Sequence, residues 1–104
     1  MIEITDFLGA GYNIINIEPL SNANLVLQKR IMSNDGKVKY IITIDCYTLI
    51  GIGVKYQANV TFYRGEDTFW LSTTAKDGDT PESIEKLFQE FWKVNKFDID
   101  PLNN

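Results

Sequence analysis

A chain of 104 residues, 44% hydrophobic and 23% charged, has room for a single domain over residues 1–104 and too little for two ordinary domains. The formal net charge of −4 argues against a protein whose whole surface follows nucleic acid, and a lone cysteine excludes a disulfide within the chain. No apolar run reaches the ~20 residues that cross a bilayer, and the N-terminal residues do not resemble a signal peptide. We therefore expect a cytoplasmic protein without membrane association.

The first twenty residues give the weakest pattern. Residues 5–8 fit one helical turn, which Gly9 and Gly11 would end, and residues 12–17 fit a short edge strand, which Pro19 would end. This segment could also cover part of the sheet that the following residues predict.

Four longer segments are predicted as strands, because β-branched and aromatic residues are frequent in them and polar and apolar positions partly alternate. They are residues 24–32, 37–48, 54–63 and 68–74. The segments between them carry glycine, asparagine and aspartate, which favour turns. Since short connections make sequential strands antiparallel neighbours, we expect a β-meander.

A C-terminal amphipathic helix follows the strands. Thr80 is a suitable N-cap, Pro81 suits the first helical position, and the helix should end near Asn95. An apolar stripe with helical spacing is predicted to pack on the sheet, and it consists of Ile84, Leu87, Phe88, Phe91 and Trp92. Residues 97–104 should form a frayed tail. The predicted fold is α+β: a four- to five-stranded antiparallel β-meander with one C-terminal amphipathic helix packed on one face.

Alternation along the strands divides their side chains between two faces of the sheet. The face toward the helix should carry Leu25, Leu27, Ile31, Val38, Tyr40, Ile42, Ile44, Cys46, Val54, Tyr56, Ala58, Val60, Phe62, Phe69 and Leu71. The opposite face, called the open face below, should carry Gln28, Arg30, Lys37, Lys39, Ile41, Thr43, Asp45, Tyr47, Lys55, Gln57, Asn59, Thr61, Tyr63, Thr68, Trp70, Ser72 and Thr74. Turn lengths predict the pairs Met32 with Lys37, Thr48 with Val54, and Tyr63 with Thr68, and they place Arg30 opposite Lys39.

Aromatic and basic side chains are interleaved on the open face. Rings beside lysine and arginine are typical of surfaces that bind single-stranded nucleic acid, where bases stack on rings and cations contact phosphates. The same residue types anchor protein–protein interfaces, and they are also ordinary on a solvated strand face. The candidate binding residues are Arg30, Lys39, Tyr47, Tyr63 and Trp70, and nucleic-acid binding would add Lys37 and Lys55.

Most familiar catalytic chemistries lack their residues in this sequence. The chain has no histidine, the commonest general base and a frequent metal ligand. Cys46 falls on the helix-side face, which predicts a buried, unreactive thiol. Asp77, Asp79 and Glu82 lack the ligand spacing of a calcium loop, and turn and helix capping explain them. We expect no catalytic residue, metal site or cofactor, although two converging carboxylates would favour a carboxylate-based enzyme.

The preferred hypothesis is a small non-enzymatic interaction module that binds another protein, as an adaptor, inhibitor or assembly component, and whose size would suit a phage or mobile element. The alternative is a single-stranded nucleic-acid-binding protein that uses the open face. A homodimer fits both hypotheses, because the strand at residues 24–32 or at residues 68–74 would leave an unpaired edge. Charge at Lys29 and Arg30 could instead protect the first of these edges.

Overall fold

One antiparallel sheet forms the framework of the protein. A computed structural model describes residues 2–15, 25–49, 51, 53–64 and 67–94. Its elements are α1 (Ile4–Gly9), β1 (Asn13–Ile15), β2 (Leu25–Met32), β3 (Val38–Leu49), β4 (Gly53–Arg64), β5 (Asp67–Thr74) and α2 (Pro81–Val94). The strands follow one another in the order β1-β2-β3-β4-β5, and α2 packs on one face. This confirms the α+β meander with a C-terminal helix, and no helix in the described ranges is long and apolar enough to cross a membrane.

The N-terminal segment contributes both elements that the sequence indicated. The helical turn is α1, and the short strand is β1, while Asn16 and Ile17 of the predicted strand lie outside the described residues. Because β1 pairs with residues 26–28, β2 is an inner strand there. The expectation that residues 24–32 form an edge of the sheet is therefore wrong for that part of β2.

The register between β2 and β3 differs from the prediction. The turn is one residue shorter than expected. The Ser33 N–H donates to the Lys37 carbonyl at 2.8 Å, so Ser33 and not Met32 lies opposite Lys37. A register shift between Ile31 and Met32 follows, so that Arg30 pairs with Ile41 instead of Lys39. Met32 pairs with Val38 instead of Lys37. A β-bulge of this kind inserts a residue that alternation alone does not reveal.

The other two predicted registers are confirmed. Thr48 pairs with Val54, and Tyr63 pairs with Thr68. Both ladders are continuous over all their paired residues. The face assignment of residues 40–49 of β3, and of β4 and β5, therefore follows from simple alternation. The assignment of Lys39 to the open face is wrong, because Lys39 has no partner in the ladder with β2 and its Nζ lies over the Trp92 ring of α2.

The core lies between the helix-side face of the sheet and the two helices. Its buried residues are Ile2, Phe7, Tyr12, Leu27, Tyr40, Ile42, Ile44, Cys46, Tyr56, Ala58, Val60, Phe62, Ile84, Phe88 and Trp92. The Phe7 ring lies 5.3 Å from that of Tyr12 and 5.5 Å from that of Tyr56, measured between centroids. Residues 2–12 thus belong to the helix side of the sheet.

Three residues that strand alternation or helical spacing assigned to the core are more exposed than predicted. Val54 lies at the beginning of β4, Phe69 lies on the terminal strand β5, and Leu87 lies on a flank of α2. Each of the three lies at the border of the sheet or on a flank of the helix, where little covers it. Periodicity predicts the direction of a side chain, but it does not predict how far the covering element extends.

Helix α2 begins as the sequence predicts. The Ser83 N–H donates to the Thr80 hydroxyl at 3.1 Å, and the Thr80 N–H donates to the Ser83 hydroxyl at 2.9 Å. Asp79 accepts hydrogen bonds from the Lys76 N–H and from the Ser83 hydroxyl. The acidic residue therefore takes part in turn and cap formation. The last described helical residue is Val94, and the predicted end at Asn95 and the tail lie outside the described residues.

An ion pair fixes one flank of α2 to β2. The Lys29 Nζ lies 2.8 Å from the Glu85 Oε1, and both side chains are largely removed from solvent. The same ammonium lies 5.5 Å from the centroid of the Tyr12 ring. Lys29 therefore does not direct its charge to bulk solvent, and the flank of α2 that carries Glu85 faces β2.

Candidate functional site

The observed ladders arrange the open face in cross-strand rows. One row contains Arg30, Ile41, Thr61 and Trp70, and the next contains Gln28, Thr43, Asn59 and Ser72. The described N-terminal residues that join the core, Ile2, Phe7 and Tyr12, do so on the other side of the sheet. These residues leave the rows uncovered.

Two aromatic side chains come together where β4 and β5 meet their connecting turn. Trp70 is 76% exposed, and Tyr63 is 36% exposed. Tyr63 pairs with Thr68 and Trp70 pairs with Thr61, so the two aromatic residues are diagonal neighbours on the open face. Such neighbours lie roughly 7–8 Å apart between Cα atoms, close enough for both rings to contact one partner. These two residues are called the aromatic patch below.

The structure separates the other three candidate residues from the aromatic patch to different degrees. Arg30 is exposed in the same row as Trp70, but two strands lie between them, which corresponds to roughly 14 Å. Lys39 directs its Nζ toward α2, where it lies 5.8 Å from the centroid of the Trp92 ring. Tyr47 pairs with Lys55 near the opposite end of β3, roughly 20 Å along the strand from Ile41.

The centre of the open face is a chain of hydrogen-bonded polar side chains. The Thr74 hydroxyl donates to the Gln57 Oε1 at 2.8 Å, and the Gln57 Nε2 donates to the Ser72 hydroxyl. Ser72 donates to the Asn59 Oδ1 at 2.8 Å, and the Asn59 Nδ2 donates to the Asp45 Oδ2 at 2.8 Å. Because these groups are engaged with one another, the central rows rigidly connect three strands.

The titratable groups in and under the sheet respond mainly to burial. Desolvation raises the pKa of the Asp45 carboxyl, although the hydrogen bond from Asn59 acts in the opposite direction. Burial, with a smaller contribution from the Asp45 charge, raises the pKa of the Cys46 thiol to about 11. The thiol is thus buried, as predicted, and protonated at neutral pH. Within the described ranges, no three side chains among aspartate, glutamate and cysteine converge as metal ligands.

Strand β5 also carries an exposed apolar surface on its helix side, which is the face opposite the aromatic patch. Phe69, which is 39% exposed, points to that side, and Leu71 is partly buried there. On α2, Leu87 and Val94 are 49% and 76% exposed. Sequence reasoning placed Leu87 in the buried stripe and gave Val94 no role. The sequence does contain a signal for this surface: Leu87, Phe91 and Val94 are spaced i, i+4 and i+7, which places them on one flank of the helix.

Comparison with known proteins supplies no relative for this chain. No protein-family model matches the sequence, and neither a curated protein nor a solved structure matches it.

Proposed function

We propose that this protein is a small non-enzymatic interaction module that binds another protein through the aromatic patch on β4 and β5. The observation that carries the proposal is the exposure of Trp70, a residue type that dominates binding energy in protein interfaces. Tyr63 beside it enlarges the anchor, and Arg30 lies at the margin of the same row. The rigid polar rows next to the patch hold it in place, so that binding would require little ordering of the site.

The charges near the patch favour a protein partner over nucleic acid. Lys39 extends toward Trp92, and Lys55 pairs with Tyr47 at the far end of the face. Asp67 is exposed at the beginning of β5, where it pairs with Arg64, and alternation directs it to the helix side, away from the patch. A strand of nucleic acid stacked on the two rings would thus meet no continuous row of cations formed by Lys39 and Lys55.

Binding of single-stranded nucleic acid is the second candidate function. Two exposed rings that lie side by side on a sheet are a stacking platform for bases. Two further basic residues lie at this end of the sheet. Lys37 is exposed in the turn before β3, and Arg64 follows Tyr63 on β4.

Replacement of Trp70 by alanine should weaken binding of the natural protein partner about thirtyfold, the size typical of a central interface tryptophan. The immobilised full chain captures partners from a lysate of its native host, and the affinity of a captured protein is then measured in purified form. Tyr47→Ala is the matched control, because this aromatic residue lies on the same face but far from the patch. It should leave the affinity unchanged.

The outcomes separate the two candidate functions. Equal affinities for wild type and Trp70→Ala would contradict the proposed site. A labelled single-stranded oligonucleotide, titrated by fluorescence anisotropy at low salt, should show no binding. Tight, salt-sensitive binding that Trp70→Ala abolishes would instead establish the nucleic-acid function on the same residues.

A further inference from the structure

We infer that β5 pairs with the β5 of a second copy of this chain, so that a two-fold symmetric dimer joins two five-stranded sheets into one. The inference extends the proposed function, because it places two aromatic patches side by side on one continuous open face. The dimer itself depends only on the edge of β5 and on the adjoining flank of α2.

The edge of β5 has the character of a strand that can pair with another. Among the described strands, β5 pairs only with β4, so its other backbone edge has no partner strand. Its ladder with β4 is regular over residues 67–74, and residues 68–74 contain no charge, proline or glycine. Charges, prolines and bulges are the usual devices that prevent edge-to-edge pairing. Strand β1, the other terminal strand, has only three residues.

Two-fold symmetry is compatible with pairing of two β5 strands. Directly opposite residues of an antiparallel pair point to the same face, and in a two-fold symmetric pair the open faces of both copies therefore coincide. Because residues 68–74 carry no charge, no like charges oppose each other in any symmetric register of this segment. A register centred near Leu71 places the two Trp70 side chains on adjacent strands of the same surface.

A second apolar layer adjoins β5 on the helix side. Glu85 binds Lys29 on β2, while the Phe91 ring stacks on that of Phe62 on β4 at 5.3 Å. The flank of α2 opposite Glu85 therefore faces β5. This flank carries the exposed Leu87 and Val94. The two-fold axis that joins the strands places both helices on one side of the sheet, with these apolar flanks directed toward each other.

The size of this edge suits a second copy. An eight-residue strand is roughly 27 Å long, and the sheet and helix layers together are on the order of 20 Å thick. A contact with that outline is of the same order as the ~800 Å² that each partner buries in a stable interface. A single added peptide strand would cover the backbone edge and leave Leu87 and Val94 exposed.

Sedimentation equilibrium of the full chain tests the inference. The wild type should sediment as a dimer at micromolar to near-millimolar concentrations. Leu87→Glu should raise the dimer dissociation constant at least tenfold, because symmetry introduces the carboxylate twice into the contact. Gln89→Glu adds the same charge on the opposite flank of this helix and should leave the constant unchanged. Both positions are exposed, so both variants should fold.

A second substitution tests the strand itself. Phe69→Lys introduces a charge on the exposed helix side of β5 and should also shift the protein to monomer. A wild type that is monomeric at every concentration, or variants at positions 87 and 69 that dimerise like wild type, would overturn the inference. Neither result affects the Trp70-dependent capture of another protein, so failure of the dimer and failure of the proposed function are distinguishable.

Discussion

Phe62→Ala should lower the free energy of unfolding by about 3–5 kcal/mol, the range measured for loss of a buried phenylalanine ring. Phe62 is fully buried at the centre of the core. Its ring lies 5.4 Å from that of Tyr40, 5.3 Å from that of Phe91 and 6.0 Å from that of Trp92. Removing it would open a cavity between β3, β4 and α2 that neighbouring rings on regular elements cannot easily fill.

Urea denaturation followed by circular dichroism measures the effect, with Tyr63→Ala as the matched control. Tyr63 is the next residue of β4 and points to the open face, so its loss should cost less than about 1 kcal/mol. Equal costs at the two positions would contradict the assignment of the two faces. The total stability of a domain is about 5–15 kcal/mol, so Phe62→Ala can remove a large part of it. Phe62→Leu is a milder change, and we expect it too to cost more than Tyr63→Ala.

Lys29→Met should destabilise the protein by about 1–3 kcal/mol, because it leaves the Glu85 carboxylate largely buried without its cation. Glu85 is 14% exposed, and its charge acts on the buried Tyr12 hydroxyl. That hydroxyl has no partner with hydrogen-bond geometry among the described residues, and burial and then the Glu85 charge raise its pKa. Methionine retains the length and apolar stem of lysine, so the loss reports on the charge.

A double-mutant cycle isolates the ion pair. Lys29→Met combined with Glu85→Gln should cost less than the sum of the two single changes, because the double variant has no unpaired charge in the site. Additive costs would show that the two side chains do not interact. The matched surface control is Lys86→Met, which changes an exposed lysine on α2 and should have an effect within about 0.5 kcal/mol.

Local signals in the sequence are sufficient for most of the fold. Thr80 and Pro81 define the beginning of α2, and period-2 alternation defines β3 and β4, since both depend on neighbouring residues alone. The register between β2 and β3 was not predictable, because the bulge that leaves Lys39 unpaired depends on how the turn closes. The pair formed by Lys29 and Glu85 joins residues 56 positions apart, which no local pattern reveals.

The candidate site was predicted in part. Alternation placed Tyr63 and Trp70 on one face, and the predicted register between β4 and β5 made them neighbours. The same alternation could not show that Tyr47 lies far along β3, nor that the flexible side chain of Lys39 reaches Trp92. Face assignment fixes direction, whereas distance and side-chain conformation depend on the whole sheet.

Fluorine NMR of the chain labelled with 5-fluorotryptophan tests the proposed binding surface most directly. The sequence contains two tryptophans, of which Trp70 is exposed on the open face and Trp92 is buried between α2 and the sheet. A Trp92→Phe variant assigns their two resonances. Addition of the purified captured partner should shift the Trp70 resonance and leave that of Trp92 in place. A partner that binds while the Trp70 resonance keeps its position would contradict the claim that the aromatic patch is the binding site.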